Sequence, residues 1–573
     1  MNIFNHYHKL ISKIITKNNK FLKIKDKAQI KNFVVESPPV QFDCDLSCNI
    51  SLVLAKDLGQ NPRELAITLK DLFKKEIDDF EKIEIAGPGF LNINLNEKTI
   101  KKIIKDILLL NKKYGSTKQN QKYNIEFVSA NPTGPMHIGH CRGAIFGDVL
   151  SNLLKFNGNK VVKEYYINDV GSQIDNFTES VFFRIKEIKL KEKFPQQSNL
   201  YPGSYIIEIA KKILKKKPNI KLNSFKNLSA FIQKESLKIS MNMIKTDLKK
   251  LGIKHDKFFS EKELIKKDLV NKSVKLLQNK NFVEKGFLEQ PKGEEQINWK
   301  KTKRLIFKSS LFGDDTDRAL QKNDGKWTYF ASDVAYHYDK IMRNFDHLIN
   351  ILGADHTGYV KRITSAVKAL SNDKILLECK VCQLVKLFKN GQPFKMSKRA
   401  GDFISASDLL KEVNKDFIRF MMLNRSNDVE IDFDFDKVLE KTKDNPVFYV
   451  QYCYARVNSL YRNLKLNNRK NIQLNKTTLN FNKYEVMILR KIFEWPKVIE
   501  VSSKKLEPHR ISYYLYDLAT LFHSYWSMGN KNDEYLFISK GKIKDKTLVI
   551  INLLCVTIEN GMKILGVSLP KKM

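Results

Sequence analysis

The spacing of apolar positions changes along the chain, and each change marks an element. In "NPRELAITLKDLF" (61–73) apolar residues recur every three or four positions behind Asn61 and Pro62, which predicts a capped helix. The run "IEIAGPGFLNINL" (83–95) divides at Gly87-Pro88-Gly89 into two strand-like halves. From about residue 120 the order becomes strand, loop, helix, strand. "NIEFV" (124–128) is followed by a helix with Ile145, Val149, Leu153 and Leu154 on one face, a stop at Asn157-Gly158, and "VVKEYYI" (161–167). Such a βαβ unit calls for a parallel, doubly wound sheet. A Lys-rich, largely helical stretch over about 180–300 reads as an insertion, after which "HLINILGADH" (347–356) resumes the sheet. "LVKLFK" and "QPFKMSKRAG" flank Asn390-Gly391, a strong hairpin signal. Asn445 and Pro446 open the helix "VFYVQYCYARVNSLYRNLK", and helical patterns near 484–503, 509–527 and 546–567 follow.

These patterns predict an α/β protein in three parts. A small α/β domain over 1–110 precedes a Rossmann-type domain over 111–425 with its insertion, and an all-α bundle over 436–573 closes the chain. No internal repeat interrupts this order.

Composition narrows the class of partner. The 573 residues carry a formal charge of +38, which favours a polyanion such as nucleic acid, although Lys and Asn bias throughout the chain accounts for part of the excess. Seven scattered cysteines fit reduced thiols in a cytoplasmic protein. Cys379 and Cys382 form a CxxC inside a strand-like run and read as core residues rather than metal ligands. No apolar run reaches the roughly 20 residues that span a bilayer. The best, "LVIINLLCVTI" (548–558), is closed by Glu559 and Asn560, so no membrane partner is expected.

The chemistry concentrates where the first strand meets its helix, in "EFVSANPTGPMHIGHCR" (126–142). A Gly/Pro loop running into a helix N-terminus offers unpaired N–H groups to a phosphate. Gly134 and Gly139 allow close backbone approach, while His137 and His140 add side-chain donors to a phosphate gaining charge. Far downstream, "FKMSKRAGD" (394–402) places Lys395 and Lys398 on a loop with Gly401 as a hinge, suited to a departing pyrophosphate.

"HIGH" at 137–140 and "KMSK" at 395–398 resemble the paired signatures of class I aminoacyl-tRNA synthetases. Other nucleotidyl transferases share variants of the first, but they are typically shorter and lack a C-terminal helical domain. "EYYINDVGSQ" (164–173), "YFASDVAYHYDK" (329–340), "ILGADHTGYVKR" (351–362) and "DNPVFYVQYCYAR" (444–456) are similar to the arginyl-tRNA synthetase family, as is "AGPGFLNINL" (86–95). The resemblance implies activation of arginine by ATP with Mg²⁺, transfer to an arginine-accepting tRNA, and a monomer. It assigns His137, His140, Lys395 and Lys398 to catalysis. Gly134, Gly139, Gly353, Asp355, His356, Met396 and Ser397 go to ATP; Glu126, Ser129, Asn131, Tyr329 and Asp333 go to arginine. A guanidinium is a planar charged fork, and two carboxylates such as Glu126 and Asp333 can receive it with paired hydrogen bonds. Such a pocket needs no editing domain, because a neutral side chain would leave buried charge unpaired.

For tRNA, Tyr449, Tyr452, Arg456 and Arg462, with Tyr454 and Tyr461, can stack on unpaired bases and grip phosphates, though several must also fill the bundle core. The chain departs from the family pattern at Cys44 and Cys48 in "FDCDLSCN" (42–49), and it carries Arg399 after an intact second motif. The competing readings are a class I synthetase for another amino acid and an inactive tRNA-binding relative.

Overall fold

A computed structural model describes residues 2–22, 24, 30, 32–39, 41–222, 224–287, 302–394, 404–465, 474, 478–539 and 541–573. The chain forms two compact units, one of Met1–Thr117 with Lys441–Met573 and one of Lys118–Glu440.

In the first unit, helices pack on a four-stranded antiparallel sheet ordered Val35–Glu36, Leu46–Cys48, Phe90–Leu95, Phe80–Ala86. The helix Pro62–Glu76 starts as its sequence predicts: the Asn61 side chain accepts from the Arg63 N–H, and Pro62 occupies the first turn. Cys44 and Cys48 are buried thiols. The C-terminal part has four long helices, Pro446–Asn463, Lys483–Lys505, His509–Gly529 and Asp545–Leu565. The last is 21 residues long and apolar enough to cross a membrane, further than the sequence run suggested, yet most of its surface is covered inside the bundle. Its apolarity is that of a core helix.

The small domain and the bundle meet within this unit at Trp495. Its indole N–H donates to the Tyr114 carbonyl at 2.9 Å, and the Tyr114 hydroxyl donates to the Ile492 carbonyl at 2.8 Å. A Cβ at Gly115, where φ is +92°, would lie 2.5 Å from the indole nitrogen, so only glycine fits. Trp495→Ala should destabilise this unit by about 3–5 kcal/mol, since it opens a cavity and removes a buried hydrogen bond, leaving the Tyr114 carbonyl only the Asn560 amide at 3.3 Å. Thermal denaturation checks this; a melting temperature equal to that of the parent would contradict it.

The second unit is built on a five-stranded parallel sheet. Its elements are β1 (Lys122–Glu126), α1 (Ile138–Phe156), β2 (Lys160–Ile167), β3 (Lys257–Ser260), α2 (Tyr329–Met342), β4 (His347–Gly353), α3 (Val360–Ser371) and β5 (Leu376–Cys382). The spatial order is β3-β2-β1-β4-β5, so chain direction across the sheet reverses between β1 and β4. Ligands of such sheets bind beyond the strand C-termini at that crevice. Glu126 ends β1 and Gly353 ends β4. The helix α1 lies close on β1 because Gly147 faces Phe127, whose ring a Cβ at 147 would overlap.

One boundary differs from the sequence reading. The expected insertion over 180–300 contains β3, which pairs parallel with β2 from Glu164↔Lys257 to Ile167↔Ser260. Four residues are too few to show a period, so "KFFS" gave no strand signal. Helices Ser172–Leu190, Ser204–Lys216 and Phe225–Lys250 precede it and share their own apolar core. The hairpin is present: β6 (Val385–Lys389) pairs antiparallel with β7 (Gln392–Pro393), turning through Asn390 and Gly391 at φ of +52° and +70°. Cys382 is buried on β5 and Cys379 is half-buried there.

Candidate active site

Between β1 and α1 the chain passes through Val128 and Ser129 at φ of +73° and +40°. A β-branched residue there is strained, and the strain sits at the mouth of the crevice. The helix then opens at Ile138 with His137 as its cap and His140 in its first turn, in a reciprocal capping box. The His137 N–H donates to His140 Nδ1 at 3.3 Å, so the His140 proton resides on Nε2. The two rings stack with centroids 3.6 Å apart. Burial lowers both imidazoles, and the neighbouring His137 adds to the effect on His140, which falls to about 3. At neutral pH both are uncharged N–H donors. A Cβ on Gly139 would lie 2.9 Å from the His137 ring, and one on Gly134 would lie 3.0 Å from the Tyr205 ring.

Lys395, Met396, Ser397 and Lys398 lie outside the described residues. The described chain resumes at Ile404. The Ile138 N–H donates to the Ile404 carbonyl at 3.1 Å and the Ala406 N–H to the Met136 carbonyl at 2.8 Å, so the segment from Ile404 is tied by backbone pairing to the start of the first motif. At the end of β4 a Cβ on Gly353 would approach Asp355 Oδ1 to 2.5 Å. Asp355 and His356 are exposed on the turn Ala354–Tyr359 and pair at 3.3 Å, and the Asp355 charge acts on His137.

Glu126, at the end of β1, and Asp333, on α2, are close enough for the Glu126 charge to act on Asp333. Asp333 lies in the second turn of α2, one turn later than the sequence suggested. Burial raises its carboxyl to about 7; the Tyr359 hydroxyl, which donates to Oδ2, opposes this, while Glu126 and Glu261 add to it. Glu126 departs from expectation, because both of its oxygens already have protein partners. Oε2 accepts from the buried Lys340 ammonium at 2.6 Å and Oε1 from the Ser129 hydroxyl at 3.1 Å. Asn131 is exposed and donates to Gln173 Oε1 at 2.7 Å. Tyr329 is 60% exposed as the first residue of α2, at the rim rather than packed in the wall.

Sequence reasoning missed Glu261, Lys340 and Tyr359. Burial raises the Glu261 carboxyl, which follows β3 directly. A signal for Lys340 was present in "DVAYHYDK": polar residues at 333, 336, 337 and 340 share the helix face that meets the sheet. Beside the pocket, a cleft of about 1100 Å³ is lined by Pro135, Tyr205, Asp247, Lys250, Ser405 and Asp408 among others. Burial raises Asp247 to about 6, and it accepts from the Met136 N–H just ahead of the histidines.

In the helical bundle Tyr454 is a core residue, buried with its hydroxyl on Glu559 Oε1 at 2.7 Å. The Arg456 guanidinium lies 4.2 Å above the Tyr452 ring and 5.3 Å from the Trp526 ring. Tyr449 is half-buried against His523, ring centroids 4.2 Å apart. Arg462 is exposed and donates to the Lys571 carbonyl at 2.6 Å. Tyr452, Arg456, Arg462, Trp526, Phe537 and Met573 line a hollow of about 640 Å³.

Comparison with known proteins matches three families in order. Residues 5–95 match the arginyl-tRNA synthetase N-terminal domain, 103–461 the class I (R) tRNA synthetase catalytic domain, and 450–573 the DALR anticodon-binding domain. An arginine–tRNA ligase of Pelagibacter ubique is 51% identical over 577 residues, covering all of both chains. One of Wolbachia pipientis wMel is 43% identical, covering 99% of each. Solved arginyl-tRNA synthetases of Thermus thermophilus (TM-score 0.71, 17% identity, 99% of this chain and all of that one) and Plasmodium falciparum (TM-score 0.72, 18% identity, 100% and 99%) share the fold.

Proposed function

Because this chain belongs to the arginyl-tRNA synthetase family, we propose a division of labour among its residues for the two steps of arginine–tRNA ligation. The enzyme joins arginine to tRNA with ATP as a substrate. In the first step the arginine carboxylate attacks the α-phosphorus of ATP; the new C–O–P bond forms as the bond to the β-phosphate oxygen breaks. Negative charge grows on the α-phosphoryl oxygens. His140 Nε2–H, His137 and the N-terminus of α1 meet that charge with preorganised neutral dipoles. Lys395 and Lys398 neutralise the departing pyrophosphate, with Met396 and Ser397 against the nucleotide. Gly134 and Gly139 admit the phosphates, and Gly353, Asp355 and His356 hold the adenosine. In the second step a ribose hydroxyl at the tRNA 3′ end attacks the carbonyl carbon and releases AMP.

The observation that carries the substrate assignment is the pair of acids at the crevice, Glu126 from β1 and Asp333 from α2. Asp333 receives the guanidinium, Glu126 flanks it, and Tyr329 covers it from the rim. Ser129 and Asn131 orient the α-amino and carboxylate groups. Mg²⁺ enters on the ATP phosphates as part of the substrate. The N-terminal domain (1–110) contacts tRNA, the catalytic domain spans 111–425, and the bundle (436–573) reads the anticodon. The reading takes the enzyme as a cytoplasmic monomer.

Pyrophosphate exchange into ATP with each of the twenty amino acids, with and without arginine-accepting tRNA, tests the assignment. Exchange with arginine alone is expected; exchange with any other amino acid would overturn the pocket reading. In the bundle, Arg456 stacked between Tyr452 and Trp526 forms a platform for an unpaired base beside Tyr449 and Arg462. Arg456→Ala should raise KM for tRNA roughly tenfold while leaving KM for arginine in place. Steady-state aminoacylation reads both, and an unchanged tRNA KM would remove Arg456 from the interface.

A further inference from the structure

The helix α2 turns a polar stripe towards the sheet, where apolar side chains would ordinarily pack. Tyr336, His337 and Lys340 are all buried there, one and two turns beyond Asp333. An ammonium in such a place persists only with partners. Lys340 Nζ donates to Glu126 Oε2 at 2.6 Å and to Asn350 Oδ1 at 3.1 Å, and it lies 4.4 Å from the Tyr336 ring. Since Asn350 Oδ1 accepts, its amide nitrogen donates to His337 Nε2 at 3.0 Å. The His337 proton is therefore on Nδ1, which donates to the Asp333 carbonyl at 2.8 Å. Burial, with Lys340 adding to it, keeps that imidazole neutral. One hydrogen-bonded chain thus runs from the Glu126 carboxylate to the backbone of Asp333. Stability alone does not account for it, because a buried ion pair adds little over an apolar pair of similar volume.

We propose that Lys340 is a specificity-determining positioning residue: it fixes the Glu126 carboxylate and balances its charge, so that Asp333 rather than Glu126 offers the arginine pocket the negative charge that matches one guanidinium. This inference rests on Glu126 and Asp333 being the arginine partners. Asp333 is faced by the Tyr359 hydroxyl, Glu126, Glu261 and Lys340, with Arg318 and Arg362 acting on Tyr359 from behind. Without Lys340, three acids share the pocket with no cation in direct contact. Asp333 then holds its proton to higher pH, and a protonated Asp333 has no charge to offer.

Lys340→Met should lower kcat/KM for arginine about 100-fold at pH 7 and move its acid limb upward by roughly one pH unit. KM for ATP should change by less than about threefold, because the nucleotide does not meet this pair. The double variant Glu126→Gln/Lys340→Met restores the original net charge, and it should recover at least about tenfold of the lost kcat/KM. An unmoved acid limb and arginine kcat/KM in Lys340→Met, with only a lowered melting temperature, would reduce Lys340 to scaffold and overturn the proposal. A double variant no better than the single would overturn it too. Should the single variant not fold, the double variant decides: kcat/KM within about tenfold of the parent supports charge balance, and a larger loss refutes it. Asp333→Asn run in parallel separates the two levels, since an unaffected arginine KM there would sink the substrate assignment itself rather than the role of Lys340.

Discussion

Asp333→Asn should lower kcat/KM for arginine by about three orders of magnitude while leaving KM for ATP nearly unchanged. The change is nearly isosteric, so it removes charge without opening a cavity. A guanidinium drawn from water into a pocket that lacks its counterion loses several kcal/mol, and about 4 kcal/mol corresponds to that thousandfold loss. Glu126 cannot substitute, because its charge is matched by Lys340 at 2.6 Å. The same carboxyl sets the pH dependence. Burial holds it at about 7 in the free enzyme, and kcat/KM reports the free enzyme. Below that value Asp333 is protonated, so kcat/KM for arginine should fall by about tenfold per pH unit and level off above it. Stability runs the opposite way. The folded state keeps a proton on Asp333 that the unfolded chain has already lost between its ordinary range and about 7, so stability falls as pH rises through that window. Asp333→Asn should then melt higher than the parent at pH 8. A variant that kept its arginine kcat/KM, or melted lower at pH 8, would contradict this account.

His140→Ala should reduce kcat by about two to three orders of magnitude with KM for arginine little changed. The reason is timing: the Nε2–H meets charge that exists only as the α-phosphoryl group transfers, so its loss is felt in the transition state and not in binding. Burial, with the stacked His137 ring adding to it, keeps His140 neutral down to about 3. At saturating arginine, kcat should therefore show no limb from His140 between pH 5 and 8. His140→Asn, which retains a donor, should recover part of the rate. A kcat that falls as pH rises through about 6 would mean that the imidazolium is the active form, and the neutral-dipole mechanism would fail.

Much of this was legible in the chain because it is local. Asn61-Pro62 and Asn445-Pro446 cap their helices in the structure as their residue types dictate, and Asn390-Gly391 makes its turn. The "HIGH" segment falls at a strand–helix junction because a short strand, a Gly/Pro loop and an apolar helix face occur in that order. Four-residue β3 was not legible, since its strand character depends on pairing with β2 and not on its own pattern.

What the sequence by itself determined, then, is where elements start and stop and which residue types occur in each, because caps, turns and periodicity act within a few residues. The assignment of charges was decided only by the tertiary structure. Lys340 lies 214 positions from Glu126 and meets it because α2 crosses the end of β1. Tyr359 reaches Asp333 from the turn after β4, and Glu261 arrives from the end of β3. Pairing, burial and the resulting protonation depend on distances between elements that no local pattern encodes, so Glu126 and Asp333 could be expected from the sequence while Lys340, Tyr359 and Glu261, and the electrostatics they set, could not.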